Sequence, residues 1–114
     1  MNWETSSLIR PPSTGDVLRA LVIAGEGATA DVLVGAVHRE QVAPGWQAQR
    51  SASGQRRLND RIDTWRLGLG AAERRRFVAS ITAALERLVG LGIVSRQVER
   101  TPAGRQRVHY RTVP

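Results

Sequence analysis

A chain of 114 residues, 41% of them hydrophobic, has room for one domain whose core can fold without covalent staples. It contains no cysteine, which excludes disulfides and thiolate metal sites. It shows neither a signal-peptide pattern nor an apolar stretch approaching the roughly 20 residues a membrane span needs. The expectation is a soluble protein of the reducing cytoplasm. The net charge of +7 comes from 17 arginines with no lysine, and it is unevenly spread. Residues 1–44 carry a net charge of −2 and residues 45–114 a net charge of +9. A field so lopsided attracts polyanions, and clustered guanidinium forks suit phosphates and guanine edges. A GC-rich genome would explain arginine in place of lysine, but not the crowding of fourteen arginines into one half.

In chain order, residues 1–12 read as an N-terminal arm, with Pro11-Pro12 blocking any helix through it. Ser13-Thr-Gly-Asp16 is a helix start, and Val17, Leu18, Leu21 and Val22 form one face of a helix ending near Gly25. Thr29 caps a second helix over roughly Ala30 to Gln41, with Val32, Leu33, Ala36 and Val37 inward and Asp31 near its positive end. After Pro44-Gly45, the polar stretch from Trp46 to Gln55 predicts a loop. Leu58, Ile62 and Trp65 then give a helical stripe over about Arg56–Leu67, interrupted at Gly68 and Gly70.

The last helix, about 72–91, carries Phe77, Val78, Ile81, Leu85 and Leu88 on one face and stops at Gly92. A two-stranded ribbon follows, Ile93–Arg100 and Gln106–Thr112, turning at Thr101-Pro-Ala-Gly-Arg105. Its alternation predicts Val94, Val98, Val108 and Tyr110 facing inward, with Arg96, Arg100, Arg107 and Arg111 wet.

Catalytic chemistry has little to draw on, and no catalytic residue, metal ligand or cofactor site is expected. His38 and His109 lie about seventy positions apart. His38 and Glu40 lack the i,i+4 spacing of helical metal ligands, so His38 reads as a solvated helix end. Asp60 and Asp63 sit among Arg57, Arg61 and Arg66, a pattern of helix-surface ion pairs. Neither a phosphate loop nor a nucleophile elbow is present. The chain is not expected to be an enzyme.

The segment from Ser80 to Arg96, with Leu85, Leu88, Leu91-Gly92-Ile93-Val94 and Arg96 in place, is similar to the recognition helix and first wing strand of winged helix-turn-helix transcription regulators. The likeness is strong over about 35 residues and looser over about 75. It implies an α+β winged helix of three or four helices plus a C-terminal two-stranded β-ribbon, spanning residues 13–114. The segment at about 42–70 departs from the family pattern and would be an insertion or extra helix. Either Arg56–Leu67 or Ala30–Gln41 takes the place of the family's second helix; the capped start at Thr29-Ala-Asp31 favours the latter.

The resemblance implies double-stranded DNA as the partner, bound by an operator-occupying regulator of a GC-rich bacterium or its phage, cytoplasmic and associated with the nucleoid. Ser80, Thr82, Ala83, Glu86 and Arg87 would lie on the groove-facing side of the recognition helix, with Arg87 placed to contact guanine. Arg74, Arg75 and Arg76 would meet phosphates at the positive helix end. Arg96, Arg100, Arg105 and Arg107 would make the wing basic. A homodimer on a palindromic site fits the limited specificity of one module. The competing reading is a winged-helix docking module within a larger complex, using the apolar arm and tryptophans Trp3, Trp46 and Trp65. RNA binding ranks third, because few aromatics are available for stacking.

Overall fold

The computed structural model describes residues 10–25, 27–43 and 52–114; within these, four helices precede a two-stranded antiparallel sheet. Helix α1 spans Thr14–Ala24. Ser13 opens it as the sequence predicts. Its hydroxyl accepts the Asp16 amide at 3.1 Å, and the Asp16 carboxylate accepts the Ser13 amide at 3.1 Å. This reciprocal box satisfies two donors that a first helical turn otherwise leaves orphaned. Gly25 ends the helix at a φ of +76°, a conformation that costs glycine little. Val17 and Leu21 are buried, but Val22, expected beside them, is exposed and Ala20 is buried in its stead. Helical phase explains the exchange, since at about 100° per residue Ala20 lies about 60° from Val17 and Val22 about 140° from it.

Helix α2 spans Val34–Val42 and begins later than the expected Ala30. Thr29 does accept an amide, from Val32 at 3.4 Å, but the residues after it form a tight turn. In that turn Leu33 and Val34 bond back to Ala30 and Asp31. Val32 therefore lies outside the helical phase and is exposed, while Leu33, Val34 and Val37 enter the core.

Helix α3 spans Ala52–Gly68, so the last part of the expected 46–55 loop is helical. Its polar composition is a weaker determinant than the packing of Leu58, Ile62 and Trp65, all buried on one side of the helix. Residues 44–51, with Trp46, and residues 1–9 of the arm, with Trp3, lie outside the described residues. The described end of the arm is docked. The Gln41 side chain donates to the Arg10 carbonyl at 2.7 Å, and Arg10 donates to the Gln41 carbonyl at 3.2 Å.

Gly70 separates α3 from helix α4, Ala71–Gly90, whose first turn is closed by the Glu73 carboxylate accepting the Gly70 amide at 2.8 Å. At the other end Ile93 donates to the Leu88 carbonyl and Gly92 to that of Val89, with Gly92 at a φ of +78°. This is a Schellman ending, and it turns the chain directly into the sheet.

The core is built where α1, α2 and α4 converge, with Phe77, Ile81, Ala84, Leu85 and Leu88 supplied by α4. Helix α3 lies against α2: the His38 and Trp65 rings stack at 3.7 Å, and Arg39 donates to Asn59 at 2.8 Å. Trp65 also meets Phe77 edge-on at 5.2 Å, which carries the contact on to α4.

Strands β1, Val94–Arg100, and β2, Gln106–Thr112, pair antiparallel with Val98 opposite Val108 and Arg96 opposite Tyr110. That register puts Val94, Val98, Val108 and Tyr110 on one face, and Arg96, Arg100, Arg107 and Arg111 are all exposed, as expected. With a side-chain period of two, Arg96 and Arg100 share a face with Val94 and Val98, and Arg107 and Arg111 point the other way with His109. On the shared face Val94 and Tyr110 are buried and Val108 packs partly against the core, whereas Val98 is 55% exposed. Between α1 and α2, Ala28 exchanges both backbone hydrogen bonds with Tyr110, at 3.0 and 2.8 Å, which ties the ribbon to the helices along a second edge. Among the described residues no helix is long and apolar enough to cross a membrane.

Candidate nucleic-acid interface

Helix α4 has one apolar side and one small, basic side. Arg75, Arg76, Ala79, Ala83 and Arg87 are exposed and recur at helical spacing opposite Phe77, Ile81 and Leu85. The two alanines leave the middle of this side flat, so a partner surface can approach the helix backbone. The ribbon adds exposed Arg100, Arg105 and Arg107 at its far end. There Thr101 donates its amide to the Arg105 carbonyl at 2.8 Å, Gly104 donates to Thr101, and Gly104 turns at a φ of +81°. The tip is therefore a closed turn holding Arg105.

The eleven residues singled out from the sequence divide by partner. Arg74 is engaged within the chain, with its guanidinium 3.0 Å from the Asp31 carboxylate, so it links α4 to the turn before α2. Arg96 is also engaged, at 2.7 Å from Glu86. The Ser80 and Thr82 hydroxyls donate to the helix carbonyls of Arg76 and Val78, at 3.1 and 3.0 Å, and leave lone pairs rather than protons for any outside group. Arg75, Arg76, Arg87, Arg100, Arg105 and Arg107 are exposed and make no ion pair among the described residues.

Several carboxylates of the basic half have contacts of their own. Glu73 closes the start of α4, Asp63 pairs with Arg66 at 3.5 Å, and Glu99 lies 3.1 Å from His109. Glu86 meets Arg96 and accepts the Tyr110 hydroxyl at 2.6 Å. Burial and the adjacent Glu86 carboxylate raise the pKa of Tyr110 to about 12, so the phenol stays protonated and donating. Glu86, Arg96 and Tyr110 form a clasp that sets the ribbon against α4.

The clasp is not legible from the sequence, because it joins residues 10 and 24 positions apart through packing alone. Ala79 is a simpler omission: its place four residues before Ala83 was visible in the helical period. The arginines of the acidic half have internal partners. Arg19 reaches Asp16 at 2.6 Å and Glu40 at 3.0 Å, and Glu40 is fully buried between α1 and α2.

His38 is not the solvated helix end its position suggests. It is 4% exposed, stacked on Trp65, and its Nδ1 lies 3.1 Å from the Gln41 side-chain oxygen. Burial is the main influence lowering its pKa, aided by Arg61 and Arg10, so the ring is neutral near pH 7. Among the described residues no three His, Asp or Glu side chains come together as a metal site would require. Comparison with protein-family models, with curated proteins and with solved structures finds no match.

Proposed function

We propose that the chain is a winged-helix protein that binds double-stranded DNA sequence-specifically and regulates transcription by occupying an operator. The observation that carries this reading is the sorting of arginines by partner. Arg19 of the first half joins α1 to α2, whereas Arg75, Arg76 and Arg87 on the outer side of α4 and Arg100, Arg105 and Arg107 at the ribbon tip are exposed and make no ion pair among the described residues. Arginine placed so, around a strip of alanine, suits a phosphate backbone flanking a groove.

The element order supports the same reading. Four helices, the last running into a two-stranded ribbon that Ala28 bridges at Tyr110, are compatible with a winged-helix arrangement. Helix α2 takes the part of the second helix, because it packs with both α1 and α4. Helix α3 is then an inserted buttress on α2. In this arrangement α4 enters the major groove, whose width of about 12 Å admits a helix. Arg87 reaches a guanine edge, Arg75 and Arg76 meet phosphates, and Arg100, Arg105 and Arg107 hold the backbone or minor groove. Arg74 and Arg96 serve the fold. The protein acts as a binder rather than an enzyme, in the cytoplasm at the nucleoid, and as a homodimer where its site is palindromic.

A docking module is the second reading, and one observation favours it. Leu91, Ile93 and Val113 are exposed around the base of the ribbon, where Val113 donates its amide to the Ile93 carbonyl. A salt titration of duplex binding separates the two. Five phosphate contacts predict a log–log slope of about −4 to −5 for affinity against salt. Absence of duplex binding even at low salt leaves the docking reading.

A further inference from the structure

Glu86 stands out on a surface otherwise furnished with arginine and alanine. It lies on α4 three residues beyond Ala83 and next to Arg87, with its side chain 38% exposed. A free carboxylate there would swing on three rotatable bonds and repel any phosphate. This one is held: Arg96 fixes one oxygen at 2.7 Å and the Tyr110 hydroxyl fixes the other at 2.6 Å. A carboxylate offers about four acceptor sites, so two donors leave capacity for a third. Its charge is balanced locally by Arg96, but its chemistry remains that of an acceptor alone.

Resting on the DNA-binding reading, we infer that Glu86 is a specificity-determining residue that accepts a hydrogen bond from the exocyclic amino group of a cytosine beside the guanine contacted by Arg87. Two considerations lead to this base. First, a fixed acceptor disfavours poses that bring phosphate oxygens to the C-terminal part of α4, where Glu86 lies, which leaves the groove floor as its neighbour. Second, of the major-groove edges only cytosine and adenine present an amino donor, and a carboxylate suits cytosine, because adenine also turns an acceptor nitrogen toward the same contact. Tyr110 and Arg96 act as positioning residues, since they hold the carboxylate rather than touch the base.

The experiment selects random duplexes against the wild-type protein, then measures the chosen duplex and its single-base variants with Glu86→Gln and Tyr110→Phe. The wild type is expected to prefer cytosine at one position by on the order of tenfold. Glu86→Gln should lose that preference and turn toward adenine, whose donor and acceptor match an amide. Tyr110→Phe keeps the charge but frees the side chain, so it should blunt the same preference while affinity for random duplex stays within about twofold.

An unchanged preference in Glu86→Gln, with duplex binding intact, overturns the inference and leaves the DNA reading standing. Should Glu86→Gln fail to fold, Tyr110→Phe decides, and wild-type discrimination in that variant overturns the inference equally. A wild-type protein that binds no duplex overturns the DNA reading and this inference together.

Discussion

The Tyr110 hydroxyl donates to Glu86 Oε2 at 2.6 Å, and through that bond the second strand of the ribbon is fixed to the C-terminal part of α4. Tyr110 also exchanges both backbone bonds with Ala28, so one residue joins the ribbon to α4 and to the segment between α1 and α2. Removing the hydroxyl in Tyr110→Phe leaves the ring buried but deletes a hydrogen bond to a charged acceptor, for which we expect a loss of about 1.5–3 kcal/mol in urea unfolding. The folded chain holds the phenolic proton up to about pH 12, whereas an unfolded tyrosine releases it near 10. This group's contribution to stability is therefore complete below pH 10 and falls as pH rises from 10 through about 12. An ultraviolet titration of the phenol locates the window. Ordinary ionisation near pH 10 in the folded chain contradicts the clasp.

His38 gives the opposite pH dependence. Its pKa is lowered in the folded chain, so below the ordinary value of 6.5 the unfolded state takes up a proton that the folded state resists. Stability is complete above pH 6.5 and declines as pH falls below it. His38→Phe, which keeps an aromatic ring on Trp65, should flatten unfolding free energy between pH 6.5 and 5. An equally steep decline in the variant assigns the acid sensitivity elsewhere.

The two classes of arginine predict two classes of variant. Arg19→Ala leaves the fully buried Glu40 without its 3.0 Å guanidinium donor and should cost about 1.5–3 kcal/mol of stability. Arg75→Ala lies on an exposed helix surface and should stay within about 0.5 kcal/mol. Thermal or urea unfolding of the pair checks the contrast, and equal losses would mean that burial of Glu40 does not depend on Arg19.

On DNA the order of effects reverses under the proposed function. Arg75→Ala should weaken all duplexes alike and reduce the salt slope by about 1. Arg87→Ala should cost about 1–3 kcal/mol on the best site and relax preference at one base pair. Parallel losses on selected and random duplexes for both variants contradict that division of roles.

Gly92→Ala isolates the helix ending. A Cβ there meets no atom within 4 Å, so the whole cost is the φ of +78°. We expect about 1–2 kcal/mol of destabilisation with no change in the described contacts. A loss near zero in urea unfolding would show that the turn into β1 adopts another conformation.

Local signals carried most of the fold. Ser13 with Asp16, the Gly68 and Gly70 break, the Gly92 stop and the two strand spans were all readable, because each depends on neighbours within a few residues. The start of α2 was misread because Thr29 caps a turn as readily as a helix, and four residues separate it from the first helical turn. The wet arginines of the ribbon follow from the sequence, but the inward placement of Val98 does not hold, because that part of the shared face extends beyond the core. Of the outward face expected on α4, Ala83 and Arg87 are exposed, whereas Ser80, Thr82 and Glu86 are half-buried and Ala79 was left out. Which arginines make no ion pair among the described residues did not follow from helical phase, since Asp31, Glu40 and Glu86 find their partners only through tertiary packing.

The most direct test of the proposed DNA-binding surface is a backbone amide chemical-shift titration of the protein with a selected duplex. Perturbations are expected to concentrate at Arg75, Arg76, Ala79, Ala83 and Arg87 of α4 and at residues 100–107 of the ribbon tip, with α1 little affected. Perturbations centred instead on Leu91, Ile93 and Val113, or none at any DNA concentration, would contradict the proposed surface.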